Sequence, residues 1–266
     1  MEIGTILITY VSYLLRHGGW RNLKLVLSEY HVTAIQFSLP LALYFGIGAS
    51  IHWWLLASIM SLLYIMIGNN LAMHRYYSHA EFELGPVGKL IFAFFSTTLA
   101  IGSQCAYAYL HIQHHKYPES GPDWTWKDLP FYKHIWFDPK TVPPLNSRYL
   151  VELRRKYGWI HQYHIAILIS YVGMLYLIHP KLALFGWWIP VTIAMAEIAL
   201  AVYFQHRHTP INSKWHKFVP TWEGLHKNHH DYPMSCNNAK EHGQVDYTYI
   251  LSKLFVVKYN ENIPNK

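Results

Sequence analysis

The hydrophobic positions of the chain fall into a few long runs, and the polar positions collect in the segments between them. Four runs, at residues 33–49, 53–71, 163–178 and 184–204, are long enough, or nearly so, to cross a bilayer as helices. Apart from Glu197 in the last run, they contain no Lys, Arg, Asp or Glu. The pattern predicts an all-α integral membrane protein with four transmembrane helices.

Turn residues separate these runs into pairs. Gly46 and Gly48 lie between the first and second runs, and Pro180 lies between the third and fourth. Glycine allows a tight reversal of the chain, and proline lacks the N–H group that would continue a helix. We therefore expect two helical hairpins within one membrane domain that covers residues 1–266.

Histidines are concentrated at the ends of the hydrophobic runs. The motif H-x-x-H-H occurs at residues 111–115 (box 2) and 226–230 (box 3), whereas random placement of the 19 histidines would give about 0.1 occurrences. On a helix, positions i, i+3 and i+4 project from one face, so each box can direct three imidazoles at one point. The spacing predicts that both boxes bind metal.

Residues 74–79 (box 1) contribute two more histidines at a different spacing. His74 and His79 are five residues apart, which a regular helix would separate by about 140° around its axis, so we expect the helix to end or unwind between them. Cys105 and Cys236 form no pair at metal-ligand spacing, so any metal must rest on histidine. Imidazole suits iron, zinc, copper and nickel, and eight or nine such ligands exceed what one ion can bind. Two metals are expected.

A fifth hydrophobic run, residues 90–110, lies between box 1 and box 2. If all boxes meet on one face of the membrane, the chain must cross the bilayer an even number of times between them. The fifth run is the one candidate in that interval, so we expect it to form an interfacial helix that does not cross. The isolated pair His161 and His164 instead fits residues that turn a polar edge to the membrane interface.

The three boxes carry a family resemblance. In the order HRYYSH, HIQHH and EGLHKNHHDYP, between two hydrophobic hairpins, they resemble the integral-membrane fatty acid desaturases, especially the acyl-CoA desaturase branch. Box 3 is the most specific, because the pattern E-G-x-H-N-x-H-H-x-(F/Y)-P of that branch is matched from Glu223 to Pro233, with Lys227 where Asn is usual. The resemblance covers roughly residues 53–233.

The resemblance implies an oxidoreductase that uses oxygen at a di-iron centre to introduce a double bond into a fatty acyl chain. It also implies a ninth histidine at the end of the fourth span, where His206 is in register with the N-S-A-x-H motif of the family and His208 is the rival. The implied cofactor is two iron ions held in a cytosolic cap above the membrane. The implied ligands are His74, His79, His111, His114, His115, His206, His226, His229 and His230.

Carboxylates near the boxes are candidates to orient these ligands. A metal-bound imidazole commonly donates its other N–H group to a carboxylate. No catalytic residue is expected beyond the iron ligands themselves. The candidates for the orienting role are Glu119, Asp123, Glu223 and Asp231.

Charge and missing motifs bear on partners and location. The net charge of +7 favours anionic lipid headgroups, an acidic electron carrier or a phosphate-bearing acyl donor, and no nucleic-acid partner is expected. The sequence has no H-P-G-G haem motif, no flavin fingerprint and no iron–sulfur cysteine set, so electrons must come from a partner such as cytochrome b5 or ferredoxin with its reductase. The acyl substrate is left open among acyl-CoA, acyl carrier protein and glycerolipid.

Basic residues predict the orientation in the membrane. Lys181 is the one clear basic residue on the side opposite the boxes, whereas residues 154–156 and nearly all other basic residues share the histidine face. The positive-inside rule makes that face cytoplasmic. The expected location is the endoplasmic reticulum in a eukaryote or the inner membrane in a bacterium.

Two other functions remain open from the sequence. A di-iron membrane hydroxylase of alkane, sterol or lipid chains would differ only in whether the carbon radical loses a second hydrogen or captures oxygen. A non-enzymatic metal-binding protein or transporter is a more distant alternative, since a transporter would place its polar ligands at mid-membrane rather than at the ends of the runs.

Overall fold

The computed structural model describes residues 34–118, 148–206 and 209–260, and this part of the chain is mostly helical. Three continuous helical stretches are long and apolar enough to cross a membrane: Ile51–Ser78, Val151–Ile178 and Pro180–Gln205. They contain the second, third and fourth predicted spans. Over the first predicted span, residues 33–49, residues 34–37 are helical and a turn at Ser38 leads into helix α1 (Leu39–Gly46), whose eight residues extend about 12 Å. A fourth span is therefore not confirmed.

A glycine turn joins α1 to helix α2 (Ile51–Leu63). Gly48 adopts a left-handed backbone conformation with φ 78°, which glycine tolerates at little cost. A Cβ on Gly46 would lie 2.9 Å from the ring of Trp54, so the absence of a side chain lets α1 pack against α2. The glycines that the sequence suggested as turn residues do form this reversal.

Helix α2 continues without a break into a π-helical segment, Tyr64–Ser78. The wider π turn joins residues five apart by hydrogen bonds, and the N–H group of His79 donates to the carbonyl of His74 at 3.2 Å. As expected, the helix ends between the two histidines, because its last residue is Ser78, and up to that point π turns replace the regular α turns. One π turn brings both onto the same side of the chain, which a regular α-helix could not do.

The fifth hydrophobic run forms two helices, α3 (Pro86–Thr98) and α4 (Gln104–Lys116). Between them the backbone takes left-handed conformations at Ala100 (φ 63°) and Gly102 (φ 104°), and the Ser103 hydroxyl then accepts from the N–H of Ala106 to cap α4. Each helix has 13 residues, or about 20 Å, which is too short to cross a bilayer of about 30 Å. The run therefore makes no single crossing helix.

The π-helical segment and α3 pack closely against each other. A Cβ on Gly68 would lie 3.0 Å from the carbonyl oxygen of Phe95, so the two backbones approach at this glycine. Around the contact lies a buried apolar group that includes Leu71, Tyr77 and Phe92. This core fixes the position of box 1 relative to the helix pair that leads to box 2.

The second hairpin turns where the sequence predicted. Helix α5 (Arg148–Ile178) ends before His179, whose ring accepts a hydrogen bond from the N–H of Lys181 at 3.1 Å. The chain returns through helix α6 (Pro180–Ala183), a π-helical stretch (Leu184–Trp188) and helix α7 (Ile189–Gln205). The end of α7 therefore lies on the same side of the hairpin as the start of α5.

The C-terminal segment returns to the region just after box 1. After a short 3-10 helix (Pro220–Trp222) come helices α8 (His226–Asp231) and α9 (Tyr247–Ser252). Strand β1 (Phe82–Leu84) pairs antiparallel with strand β2 (Val256–Tyr259), with Phe82 opposite Tyr259. The N–H group of Asn260 then donates to the carbonyl of Glu81 at 2.7 Å. Residues after box 3 are in this way attached to residues after box 1.

Candidate metal centre

The nine histidines suggested by the sequence come from four separate elements. Box 1 lies at the end of the π-helical segment, box 2 on the last turns of α4, and box 3 on α8, while His206 directly follows α7. The structure brings all nine together in two clusters. Within each cluster, one ring nitrogen from every histidine lies within 4.8 Å of the others.

In the first cluster, called here the five-histidine cluster, the Nε2 atoms of neighbouring rings lie close together. The distances are 2.7 Å for His79 to His111, 3.1 Å for His111 to His115, 2.9 Å for His115 to His229 and 2.9 Å for His229 to His74. Four of the five side chains are buried, and His115 is half-buried. The imidazoles therefore point at a common centre.

The second cluster, the four-histidine cluster, has the same character. The Nε2 atom of His226 lies 2.6 Å from that of His206 and 3.1 Å from that of His230, which in turn is 3.0 Å from that of His114. His208, the rival of His206 in the sequence, lies outside the described residues. Of the two, the described structure thus places His206 beside boxes 2 and 3.

Each H-x-x-H-H motif is divided between the two clusters. His111 and His115 face the five-histidine cluster while His114 faces the other, and His226 and His230 face the four-histidine cluster while His229 faces the first. The expectation that each box directs three imidazoles at one point is therefore wrong. Positions i+3 and i+4 differ by about 100° around a helix, so a box placed between two centres supplies both.

Burial favours the neutral form of five of these rings. It lowers the pKa of His79, His111, His115, His226 and His229, and the neighbouring histidines lower each pKa further. A neutral ring keeps a lone pair, which is the form that binds a metal ion. A neutral imidazole has only one N–H, so five rings that face one point cannot all pair with one another. A cation at the centre of each cluster satisfies every inward lone pair.

Glu223 is the candidate orienting carboxylate that contacts a cluster. One of its oxygens contacts Nδ1 of His74, and the other accepts from Nε of Arg75 at 2.8 Å. Burial by itself would raise the pKa of Glu223, but His74 and Arg75 lower it to about 2. An ionised carboxylate on Nδ1 fixes the His74 ring with its Nε2 toward the five-histidine cluster.

The structure does not support an orienting role for the other three candidate carboxylates. Asp231 lies on the exposed side of α8 and forms an ion pair with Lys227, so its geometry gives no support to an orienting role. Glu119 and Asp123 lie outside the described residues.

Arg75 is a site residue that the sequence analysis missed. Its side chain is only 1% exposed, and besides Glu223 it donates to the carbonyl of Cys236 at 2.8 Å and to both carboxylate oxygens of Asp246 at 3.0 and 3.1 Å. The sequence did contain a signal for it, because Arg75 directly follows His74 at the end of a predicted span. A charged residue in a membrane-spanning helix is costly and usually has a function. Nothing in the local sequence marked Asp246.

His161 and His164 lie on α5, outside both clusters. The ring of His161 contacts the hydroxyl of Ser103 at 2.5 Å, and His164 is only 5% exposed. The assignment of His164 to a membrane interface is therefore wrong, because a side chain buried among helices cannot reach the headgroups.

A cavity lies beside both clusters. Histidines of each cluster line it, together with the apolar residues Ile65, Ile198, Ala201 and Val202. The polar residues Asn69, Asn70, Glu197 and Thr221 line it as well. A cavity with apolar side chains beside two groups of buried imidazoles can hold part of a hydrocarbon chain against the clusters.

Comparison with known proteins bears on this arrangement. No protein-family model matches the chain. A curated protein of Synechocystis sp., sn-1 stearoyl-lipid 9-desaturase, is 26% identical to it, with 75% of this chain and 69% of that protein covered. The chain resembles a lipid desaturase.

The desaturase resemblance predicted from the three boxes is thereby confirmed, since the histidines of those boxes also cluster in the structure. A desaturase is an oxidoreductase, so the likeness supports an enzyme rather than a storage or transport protein. The three apolar helices fit a desaturase that resides in a membrane.

Proposed function

We propose that the protein is an oxygen-dependent acyl-lipid desaturase whose two histidine clusters each hold one iron ion. The observation that carries the proposal is the convergence of nine imidazoles from four elements on two centres. The likeness to a desaturase named for a lipid-bound acyl substrate favours a glycerolipid over acyl-CoA or acyl carrier protein as the acyl donor.

The ligand assignment follows from the clusters. His74, His79, His111, His115 and His229 would hold one iron, and His114, His206, His226 and His230 the other. Imidazole nitrogen suits iron among other metals, and the desaturase resemblance selects iron from that set. When bound, the two irons supply with dioxygen the oxidising power that an unactivated methylene requires.

The residues of the chain position the substrate and exclude water. The apolar side chains that line the cavity would hold the acyl chain so that adjacent methylenes lie beside both clusters. Glu223 would keep the His74 ring in the tautomer with a proton on Nδ1, which leaves Nε2 free for iron. No side chain has to remove a proton from the substrate, because a methylene has no acidic proton.

The overall reaction requires outside electrons. Formation of one double bond from two methylenes removes two hydrogens, and reduction of one dioxygen to two waters consumes these together with two electrons and two protons. We propose that the electrons arrive from cytochrome b5 or ferredoxin with its reductase. They would arrive on the cytoplasmic face, where the positive-inside rule places the boxes.

The proposal is tested by expression in a host that lacks the product, followed by gas chromatography and mass spectrometry of its lipids. A desaturase yields lipids with one added double bond, a hydroxylase yields a chain with one added oxygen, and a metal-binding protein yields neither. His111→Ala should abolish the product, and His242→Ala, a change at an exposed loop position, should not.

Purified protein tests the electron donor. With lipid and oxygen alone, product should not accumulate, and addition of the reductase with cytochrome b5 or ferredoxin should start turnover. Sustained turnover without any reductant would contradict the proposal.

A further inference from the structure

Arg75 lies at the meeting point of three carboxylates from three separate parts of the chain. It hydrogen-bonds Glu223, which precedes box 3, and Asp246, which caps α9 after box 3. The third carboxylate, Glu81, follows box 1 and lies 3.9 Å from the guanidinium. All four side chains are nine-tenths or more buried.

Asp246 and Glu81 differ in how they are held. One oxygen of Asp246 also accepts from the N–H of Tyr249 at 2.8 Å, and the other accepts from the N–H of Asn238 at 2.8 Å. Glu81 is 0% exposed, and neither of its carboxylate oxygens has a hydrogen-bond partner among the described residues. Asp246 is therefore held in a fixed position, whereas Glu81 does not fix the direction of the guanidinium.

The fixed carboxylate orients the guanidinium. The two bonds that Asp246 accepts from Arg75 come from one terminal nitrogen, and the carbonyl of Cys236 accepts a bond from the other terminal nitrogen at 2.8 Å. With both ends of the planar group held, its Nε–H points at Glu223, and Glu223 contacts Nδ1 of His74. Charge-assisted hydrogen bonds of this kind are short and directional.

We propose that Asp246 and Arg75 are positioning residues for one of the two metals, the one in the five-histidine cluster. The connection runs from the C-terminal segment through Arg75 and Glu223 to His74, a member of that cluster. This inference rests on the proposed function, because it requires both clusters to hold metal. On this proposal, the segment after box 3 stabilises the five-histidine cluster, although every ligand of that cluster comes earlier in the sequence.

The test measures metal release rather than turnover. Detergent-purified protein loaded with iron(II) is mixed with an excess of chelator under anaerobic conditions, and the metals are counted as they leave. Loss of an outer partner of a metal ligand typically weakens binding by about 10–100-fold. Arg75 and Asp246 act on His74 through Glu223, so in Asp246→Asn and in Arg75→Lys one of the two metals should leave faster than in the wild type, by up to this factor, and the other at the wild-type rate.

Two backgrounds identify the metal that is loosened. In a His226→Ala background, where the four-histidine cluster is broken, Asp246→Asn should accelerate release of the remaining metal. In a His229→Ala background, first dialysed against a moderate chelator so that the five-histidine cluster is empty, Asp246→Asn should not change the release of the remaining metal. The matched control is Glu83→Gln, which removes an exposed carboxylate on β1 paired with Lys258 at 3.6 Å and should leave both release rates unchanged.

The possible outcomes separate the two proposals. Faster release of both metals, or of neither, would overturn the positioning role, since a general loss of stability acts on both clusters alike. If Asp246→Asn fails to fold, Arg75→Lys provides the same measurement with the positive charge retained. Wild-type protein that binds fewer than two metals would contradict the proposed function itself, and this inference with it.

Discussion

Removal of one histidine from each cluster should release different metals. His229 contacts two other histidines of the five-histidine cluster, each at 2.9 Å, and His229→Ala leaves four nitrogens there. His226 contacts two members of the four-histidine cluster at 2.6 and 3.1 Å, and His226→Ala leaves only three. We expect the second change to weaken metal binding more than the first.

The size of the effect has a lower bound. Loss of a ligand must cost at least as much as loss of a ligand's outer partner, which is about 10–100-fold in affinity, or about 1.4–2.8 kcal/mol. His229→Ala should therefore retain about one iron per chain after dialysis against a moderate chelator. His226→Ala should fall to about one iron per chain even without a chelator, and both variants should lose activity.

Metal analysis by mass spectrometry, with protein quantified by amino-acid analysis, measures these ratios. His242→Ala, at an exposed position, serves as the control and should keep about two irons. Yield in the membrane fraction should be unchanged in all variants, because the three helices long and apolar enough to cross a membrane do not include box 3. Loss of both irons from each single variant, or of none, would refute the division of box 3 between two centres.

Three further predictions follow from contacts described above. Gly68→Ala places a Cβ 3.0 Å from the carbonyl oxygen of Phe95 and should destabilise the protein by about 1–3 kcal/mol in thermal unfolding, whereas Gly173→Ala, with open space around it, should not. Lys227→Asn removes an exposed ion pair with Asp231, so iron content and activity should stay unchanged in metal and product assays. Metal-free protein should lose stability as the pH falls below about 6.5. Burial lowers the pKa of clustered histidines in the folded state, so below that pH the unfolded chain gains protons on them and the folded chain does not. A denaturation midpoint that does not move between pH 7.5 and 5 would contradict this.

Local sequence patterns predicted the parts of the molecule that local forces determine. Apolar runs with no charged residue except Glu197 lie within the three long helices, and the H-x-x-H-H spacing identified histidines that the structure brings together. The turn at His179 and Pro180 was also readable, because proline cannot continue a helix. The first run stays a prediction, because the helical residues described there, 34–37 and Leu39–Gly46, do not by themselves show a crossing.

Features that depend on distant contacts were not readable. The π-helical turns between His74 and His79 follow no composition rule, and close packing at Gly68 accompanies them. The division of each box between two centres depends on where α4 and α8 lie relative to each other. The ion pair of Arg75 with Asp246 joins residues 171 positions apart, so no window along the sequence contains both.

The long separation between the boxes also has a consequence for biosynthesis. His74 and His229 lie 155 positions apart, and at about 5–20 residues per second a ribosome needs roughly 8–30 s to make the intervening chain. Late in that interval, four histidines of the five-histidine cluster have been made, but the last one, His229, has not. Copper and zinc bind imidazole more tightly than iron(II), so the growing chain presents an incomplete site to the wrong metals before it can enclose the right ones. Protection of the nascent histidines, or loading after release, is thus a requirement that the order of the boxes imposes on the cell.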